Sequence, residues 1–511
     1  MVFCSINTAF LGIRVGYGIG AYIKTPIYGS VKKWYNVFGK VLILSHDLVT
    51  PKEYPMKNLT RREMLKTSTV LGAGALFLAN GVLTRGQSPN EKLDVAFVGL
   101  GNQGNYQLSN LSRMTNEVNV VALCDVDDVV AGKAYENNPG AKKFYDYRQM
   151  FDEMEQSMDA VAVSTPDHSH YHPTMRAIRA GKHVYLEKPL AHSVQEIRNI
   201  TNAAAEKKVA TQLGCQRHTI RNMHRVVELV QSGAIGEVTE VYSWIGGTRG
   251  MPEMPGTSIA PPDTLKWDLW LGPCPKDWKY SVSKNISPNG AEIGTHAPYW
   301  WRFWWDFGTG ETGNWACHML DIPYWALDLA YPVKVSASGP EIDSERTPNE
   351  MHIVYDYPAR GTLPALKLHW SHTARPACYA KYEIPSNIRD KDGNAVNANT
   401  LFVGSKGMLL TGFDRHILLP EEKFADFAYP AQFIPASPGF HREWVNACKG
   451  GVPATCNFGY TGPMAESAIL GNEAYRAGHK TFDWDAANLI AQNCPEVQAA
   501  LKPEFRRGWE Y

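Results

Sequence analysis

The run LDVAFVGLGNQGNYQLSNL, beginning at Leu93, constrains the fold of this chain more than any other. A short continuous apolar stretch, a glycine-rich turn and a helical pattern follow one another, as in a strand that turns tightly into a helix. Gly99, Gly101 and Gly104 hold the positions of a GxGxxG turn, with Asn102 and Gln103 between the last two. Glycine there permits the tight turn, close approach of the backbone to a pyrophosphate, and packing of helix on strand. A second apolar run, 118–123, leads into Asp125, 21 residues past Gly104. That is near the spacing expected of an acid that takes the ribose hydroxyls of a dinucleotide.

A carboxylate at Asp125 accepts hydrogen bonds from both ribose hydroxyls and repels a 2′-phosphate, and Asp127 and Asp128 add to the repulsion. NAD is therefore expected, ahead of NADP. Further strands are predicted at 159–164, 183–186 and 209–213, with helices at 173–180 and 194–208 between them. Strands alternating with helices specify a parallel sheet.

At 511 residues the chain exceeds the roughly 250–300 at which one core stops growing, so more than one domain is expected. After Cys215 the pattern changes to alternating runs at 238–245, 351–357, 366–370 and 401–403. These predict a mainly β region with one open face. The expected fold class is α/β: a Rossmann dinucleotide-binding domain over 91–215, then an α+β substrate domain over 216–511 with a large, mostly antiparallel open sheet. Fifty-one basic residues balance fifty-one acidic ones, which leaves no global field to attract nucleic acid or anionic lipid. The nine cysteines are scattered singly without a CxxC pair, so neither a disulfide framework nor a zinc module is indicated.

The first ninety residues read differently. From Met56 the chain runs through Lys57, the pair Arg61-Arg62 and the weakly apolar stretch 70–83. The order resembles a twin-arginine export signal. The apolar stretch is rich in Gly and Ala and falls below the ~18 strongly apolar residues of a membrane-spanning helix. A periplasmic protein without stable membrane insertion is expected, with cytoplasmic retention as the alternative. On this reading Met56 is the start, 56–90 are signal and linker, and 1–55 are an extension of doubtful standing.

Two strand ends carry polar clusters, 164–168 (STPDH) and 187–189 (EKP). Ligands of an open α/β sheet lie beyond the carboxyl ends of its strands, which places Thr165, Pro166, His168, Glu187 and Lys188 beside the dinucleotide. His168, His170 and His172 alternate along the first loop, but no cysteine or carboxylate nearby completes a ligand set, so no metal is expected. Farther on, GTGETGNWACHMLD (308–321) opens as a glycine turn and continues as a predicted helix. Asn314, His318 and Asp321 then fall at i, i+4 and i+7, on one face. Just before it lies YWWRFWWD (299–306). Aromatic faces stack on sugar rings, and Trp301, Arg302 and Asp306 are candidates to bind a carbohydrate or polyol, while core packing claims at least half of the rings. Trp267 and Trp270 read as structural.

The fingerprint, STPDHSH, HVYLEKPLA and GTGETGNWACHMLD occur in the order found in the glucose-fructose oxidoreductase, inositol dehydrogenase and MocA family, which the chain resembles over about 92–511. The resemblance implies that Lys188 touches the substrate hydroxyl beside the nicotinamide, with the Lys188–Pro189 peptide often cis. It implies that His318 takes the alcohol proton. An ammonium stabilises developing alkoxide, and imidazole titrates in the range a proton acceptor needs. The family usually has aspartate four positions before this histidine; here Asn314 supplies no charge. Asp321 is either its substitute or a packing partner. The resemblance also implies a homo-oligomer paired through the open sheet. The expected function is NAD-dependent oxidation of a secondary hydroxyl of a sugar, cyclitol or glycoside, with a tightly bound, recycled cofactor. Glycoside cleavage through a transient keto sugar and non-catalytic binding of a sugar or nucleotide are the other two readings.

Overall fold

Short apolar runs between Leu93 and Leu213 assemble into a parallel sheet. In a computed structural model of the chain, residues 91–510 are described, except 248, 251–255, 288, 289, 375 and 391. Before them only Trp34–Tyr35 and Val41–Leu42 are described, paired antiparallel. The chain divides into two compact units, 1–79 and 80–511. The export signal expected at 56–90 and the extension 1–55 lie outside the described residues, apart from that ladder.

The parallel sheet comprises β1 (Leu93–Val98), β2 (Val118–Cys124), β3 (Lys142–Phe144), β4 (Ala160–Val163), β5 (His183–Leu186) and β6 (Thr211–Leu213). Its order is β3-β2-β1-β4-β5-β6. The order reverses between β1 and β4, which opens a crevice at the carboxyl ends of the strands. Helices α1 (Asn102–Ser112), α2 (Asp128–Asn137), α3 (Tyr147–Met154), α4 (Tyr171–Arg179) and α5 (Val194–Lys207) connect them. A capping box of Ser193 and Glu196 starts α5, each side chain satisfying a backbone N–H at the helix entrance. The strand β3 escapes sequence reading because it is an edge strand of three residues, two of them exposed lysines.

The second sheet has nine strands: β7 (Val238–Ile245), β8 (Lys334–Ser338), β9 (Met351–Tyr357), β10 (Leu366–His372), β11 (Thr400–Gly404), β12 (Gly407–Thr411), β13 (His416–Leu419), β14 (Thr481–Asp485) and β15 (Ile490–Gln492). Its order is β13-β12-β11-β7-β10-β9-β8-β14-β15, and β7 with β10 is the parallel pair. Along β9, Met351, Ile353, Tyr355 and Tyr357 are buried while the residues between them are partly open, the alternation of a sheet with one face in the core.

Helices α6 (Arg221–Gln231), α7 (Asp321–Leu327), α8 (Phe440–Cys448) and α9 (Phe458–Arg476) complete the framework. The expected boundary at 215 is crossed by the chain itself. The helix α9 packs on α5 and on β8, Leu213 N–H donates to the Cys456 carbonyl at 2.9 Å, and Gln212 Nε2 donates to the Phe440 carbonyl at 3.2 Å. One hydrophobic core therefore runs through both sheets. The eight described cysteines are buried and free, and no described helix is long and apolar enough to cross a membrane.

Candidate active site

Gly99 ends β1 at φ +85°, and a Cβ there would stand 2.6 Å from the Ser164 carbonyl carbon, so the turn lies directly on the end of β4. A Cβ on Gly104 would press into the Gly99 carbonyl oxygen. Both positions admit only glycine. Gly101 precedes α1 without a side-chain cap, which leaves the first N–H groups of that helix available to an anion. Over this turn opens a cavity of about 440 Å³ lined by Gly99, Gly101, Asn102, Gln103 and Asp125, and by Thr165 and Pro166 at the end of β4.

Asp125 locks the turn to the end of β2: its Oδ2 accepts the Leu100 N–H at 2.6 Å and its Oδ1 the Asp127 N–H at 3.0 Å. Burial outweighs these hydrogen bonds and pushes its carboxyl up to about 6. Asp127 also lines the cavity and caps α2, accepting the Val129 N–H at 2.9 Å. Asp128 instead accepts from the Tyr145 hydroxyl. The Thr165 hydroxyl and Glu187 Oε2 are buried without partners on residues that line the cavity, as expected of groups that await a ligand. Turn, acid and orphaned polar atoms fit a dinucleotide.

At the end of β5, Glu187 is the centre of an amide network. Its Oε1 accepts from Gln107, from Gln216 at 2.9 Å and from Gln103 at 3.5 Å. Burial pushes its carboxyl up to about 7, against the lowering effect of Lys188. The Lys188–Pro189 peptide is cis, as the resemblance implies. Lys188 lines the same cavity, and its Nζ donates to Asn314 Oδ1 at 2.8 Å. Asn314 in turn donates to Glu311 at 3.3 Å, and Glu311 pairs with Arg249 at 2.6 Å. Trp301 and Arg302 line the cavity too.

Other expectations are corrected. The segment after Glu311 is a π-helical stretch, Thr312–Ala316, followed by one turn, Cys317–Met319, and α7. The pitch changes between Asn314 and His318, and the three side chains that an unbroken helix would line up meet three different surroundings. Asn314 lines the cavity. His318 does not; it is buried against Trp315, and burial, with the Lys188 and Arg217 charges nearby, holds its imidazole well below its usual range. Asp321 is a packing partner: it faces His218 at 2.9 Å and accepts from the Tyr460 hydroxyl at 2.7 Å.

His168 is not a wall of the cavity. Its ring packs on Phe307 and Trp270, with Nε2 3.2 Å from the Trp270 carbonyl. His170 bridges the carbonyls of Pro189 and Thr165 at 2.7 and 2.8 Å, and His172 meets the Trp509 carbonyl at 2.7 Å. The three histidines brace loops and converge on no common point. Asp306 is engaged by Lys276 and Trp278, both at 2.8 Å. Phe303, Trp304 and Trp305 are core, as is the Trp267–Trp270 stack.

Sequence reasoning missed Trp509. It lines the cavity 384 positions from Asp125, under the Arg148 guanidinium at 4.2 Å from its ring centre. Arg506 fastens the same segment to the second half of the fold, its guanidinium on Asp268 at 2.7 Å and its N–H on the Pro273 carbonyl at 3.0 Å. No local pattern marks such a residue.

Residues 93–215 match the model of an oxidoreductase family with an NAD-binding Rossmann fold. A glycosyl hydrolase family 109 protein of Solibacter usitatus is 27% identical over 206 residues, 36% of this chain and 45% of its own length. An inositol 2-dehydrogenase/D-chiro-inositol 3-dehydrogenase of Lactiplantibacillus plantarum is 29% identical over 147 residues, 28% of this chain and 41% of its own. The chain thus spans less than half the length of these curated relatives. The structure of the WlbA dehydrogenase from Bordetella pertussis, in complex with NADH and UDP-GlcNAcA, shares the fold with a TM-score of 0.53 at 14% identity, over 77% of this chain and 99% of that one. Over residues 93–215 the chain thus carries the NAD-binding Rossmann domain of the glucose-fructose oxidoreductase, inositol dehydrogenase and MocA family.

Proposed function

We propose that the protein is an NAD-dependent oxidoreductase acting on a secondary hydroxyl of a sugar, cyclitol or glycoside. The observation that carries this reading is Lys188, which lines the cavity at the end of β5 with its ammonium bonded to Asn314, another lining residue, and with Trp301 and Arg302 beside them. Bound NAD supplies the hydride acceptor. The protein supplies the rest. Gly99, Gly101 and the first turn of α1 hold the pyrophosphate, and Asp125 takes the ribose. Lys188 grips the substrate hydroxyl oxygen and stabilises the negative charge that grows there as hydride leaves carbon. One hydride and one proton leave the alcohol and a ketone remains; the family resemblance gives the proton to His318, which requires its ring, buried beside Trp315 and off the cavity wall, to turn toward the hydroxyl when substrate binds.

The relatives support this reading by what they are called, an inositol dehydrogenase and a dehydrogenase bound to NADH and a nucleotide sugar. The Solibacter relative favours a second reading, in which transient oxidation assists glycoside cleavage and the cofactor is re-reduced. Product analysis separates them: a ketone or lactone supports oxidation, a released aglycone supports cleavage. The family pattern with Asn314 in the place of aspartate supports the third reading, a binding protein without turnover. A panel of sugars, cyclitols and glycosides is to be tested for reduction of bound NAD. Turnover unchanged in a Lys188→Ala, His318→Ala double variant would defeat the mechanism.

We further propose export with the cofactor aboard. The twin-arginine route carries folded proteins, and free NAD is scarce outside the cytoplasm, so the cofactor is recycled in place. Expression from Met56 in a host with that pathway, followed by release of nucleotide from periplasmic protein by heat, should yield stoichiometric NAD. Protein kept in the cytoplasm with an empty site would overturn both export and the tightly held cofactor.

A further inference from the structure

Arg302 lines the cavity with Lys188, yet it makes no ion pair with any described carboxylate. Its guanidinium donates to the Tyr299 carbonyl and lies over the rings of Tyr299 and Trp301, 4.0 and 4.7 Å from their centres. The acids around it are committed elsewhere. Glu311 pairs with Arg249, Asp306 with Lys276, and Asp167 accepts the Thr309 N–H at 3.1 Å and its hydroxyl at 2.6 Å.

Lys188 is in the same position. Its ammonium donates to the neutral amide of Asn314, and burial pushes the carboxyl of the adjoining Glu187 up to about 7. Burial lowers the Arg302 pKa, and the Asp167 and Glu311 charges nearby offset this only in part because neither pairs with the guanidinium. Two cations without an ion-pair partner among the described residues thus line the cavity; of the acids that line it, Asp125 and Asp127 belong to the ribose end, Asp146 pairs with Arg148, Asp167 is bonded to Thr309 and Glu187 to its glutamines. A neutral sugar would leave both cations without an ion-pair partner; an oxyanion would complete a charge-assisted pair with the planar guanidinium fork.

We infer that the substrate is an anionic sugar, whose carboxylate or phosphate is bound by Arg302 while Lys188 takes the hydroxyl. The inference rests on the reading of this cavity as a sugar site. Its test is a binding measurement that needs no turnover. D-glucuronate, D-glucose 6-phosphate and D-glucose, with the corresponding galactose series, are titrated calorimetrically into NADH-loaded protein and into Arg302→Gln and Arg302→Lys variants whose melting temperatures are checked.

In the unaltered protein an anionic member should bind roughly tenfold or more tighter than the neutral sugar of the same configuration, and less so at high salt. The carboxylate and phosphate arms identify which oxyanion it is. Arg302→Gln should abolish the preference, and Arg302→Lys, which keeps the charge and loses the fork, should retain part of it. Neutral sugars binding as well as anionic ones would overturn the inference. So would an undiminished preference in Arg302→Gln, or an equal loss of NADH affinity in that variant, which would assign Arg302 to the cofactor. Anion-selective binding through Arg302 without reduction of bound NAD by any sugar would instead refute the oxidoreductase reading alone.

Discussion

Lys188 Nζ donates to Asn314 Oδ1 at 2.8 Å, joining the end of β5 to a π-helical stretch 126 positions later. Glu311 holds the other end of that amide, so the oxygen is turned toward the ammonium by a buried carboxylate one step removed. The ammonium therefore meets a dipole here, where a direct carboxylate would offset its charge.

Removing that ammonium should cost catalysis and spare the cofactor. Lys188→Ala is expected to lower kcat by roughly 100-fold or more with NAD content unchanged, measured by turnover and by nucleotide released on heating. His318→Ala should also reduce kcat and flatten the acid limb of the pH profile. An unaltered profile shape would mark His318 as packing.

NAD affinity should depend on pH through Asp125. The carboxylate, not the acid, accepts the ribose hydroxyls, and its value in the free protein is pushed up to about 6. As pH falls through 6 the group protonates and binding weakens, toward about tenfold per pH unit well below it. Titration of NAD between pH 5 and 8 should show this fall in the unaltered protein and not in Asp125→Asn.

Glu187 should leave a trace in stability. Its carboxyl moves from 4.5 to about 7 on folding, so the native state binds more protons than the unfolded chain between those values. The stabilisation this gives is complete below pH 4.5 and is lost as pH rises through 7. Subtracting the melting temperatures of Glu187→Gln from those of the unaltered protein across pH 4.5–8 should reveal a difference that declines in that window. A flat difference would place the titration elsewhere.

Trp509 closes the cavity from a segment with neither helix nor strand, and it is held there by Arg148, by His172 and by the Arg506 anchor. Trp509→Ala should speed release of NAD roughly tenfold, with Trp509→Phe intermediate. Stopped-flow displacement of bound NADH measures it, and identical rates would confine the ring to a structural role.

The residues that spoke plainly in the sequence are those whose chemistry is local. The glycine turn and the alternation of β7 and β9 follow from neighbours a few positions away, and each lies where its pattern predicts. So does Asp125. His168 and Asp306 were misread because burial and distant partners decide their fate: a ring against Phe307 in one case, Lys276 and Trp278 in the other. The π-helical turn is invisible to a reading that assumes 3.6 residues per turn.

The sequence by itself determined the Rossmann half, its preference for NAD and the lysine at its edge, because strand period, glycine geometry and the sign of one carboxylate are written in short stretches of chain. The tertiary structure decided which of the polar residues face the cavity. It left Arg302 and Lys188 without an ion pair to the described acids, engaged Asp321 with His218 and Tyr460, and brought Trp509 over the crevice. Those outcomes depend on contacts across hundreds of positions, where burial and pairing are properties of the packed molecule and of no segment within it.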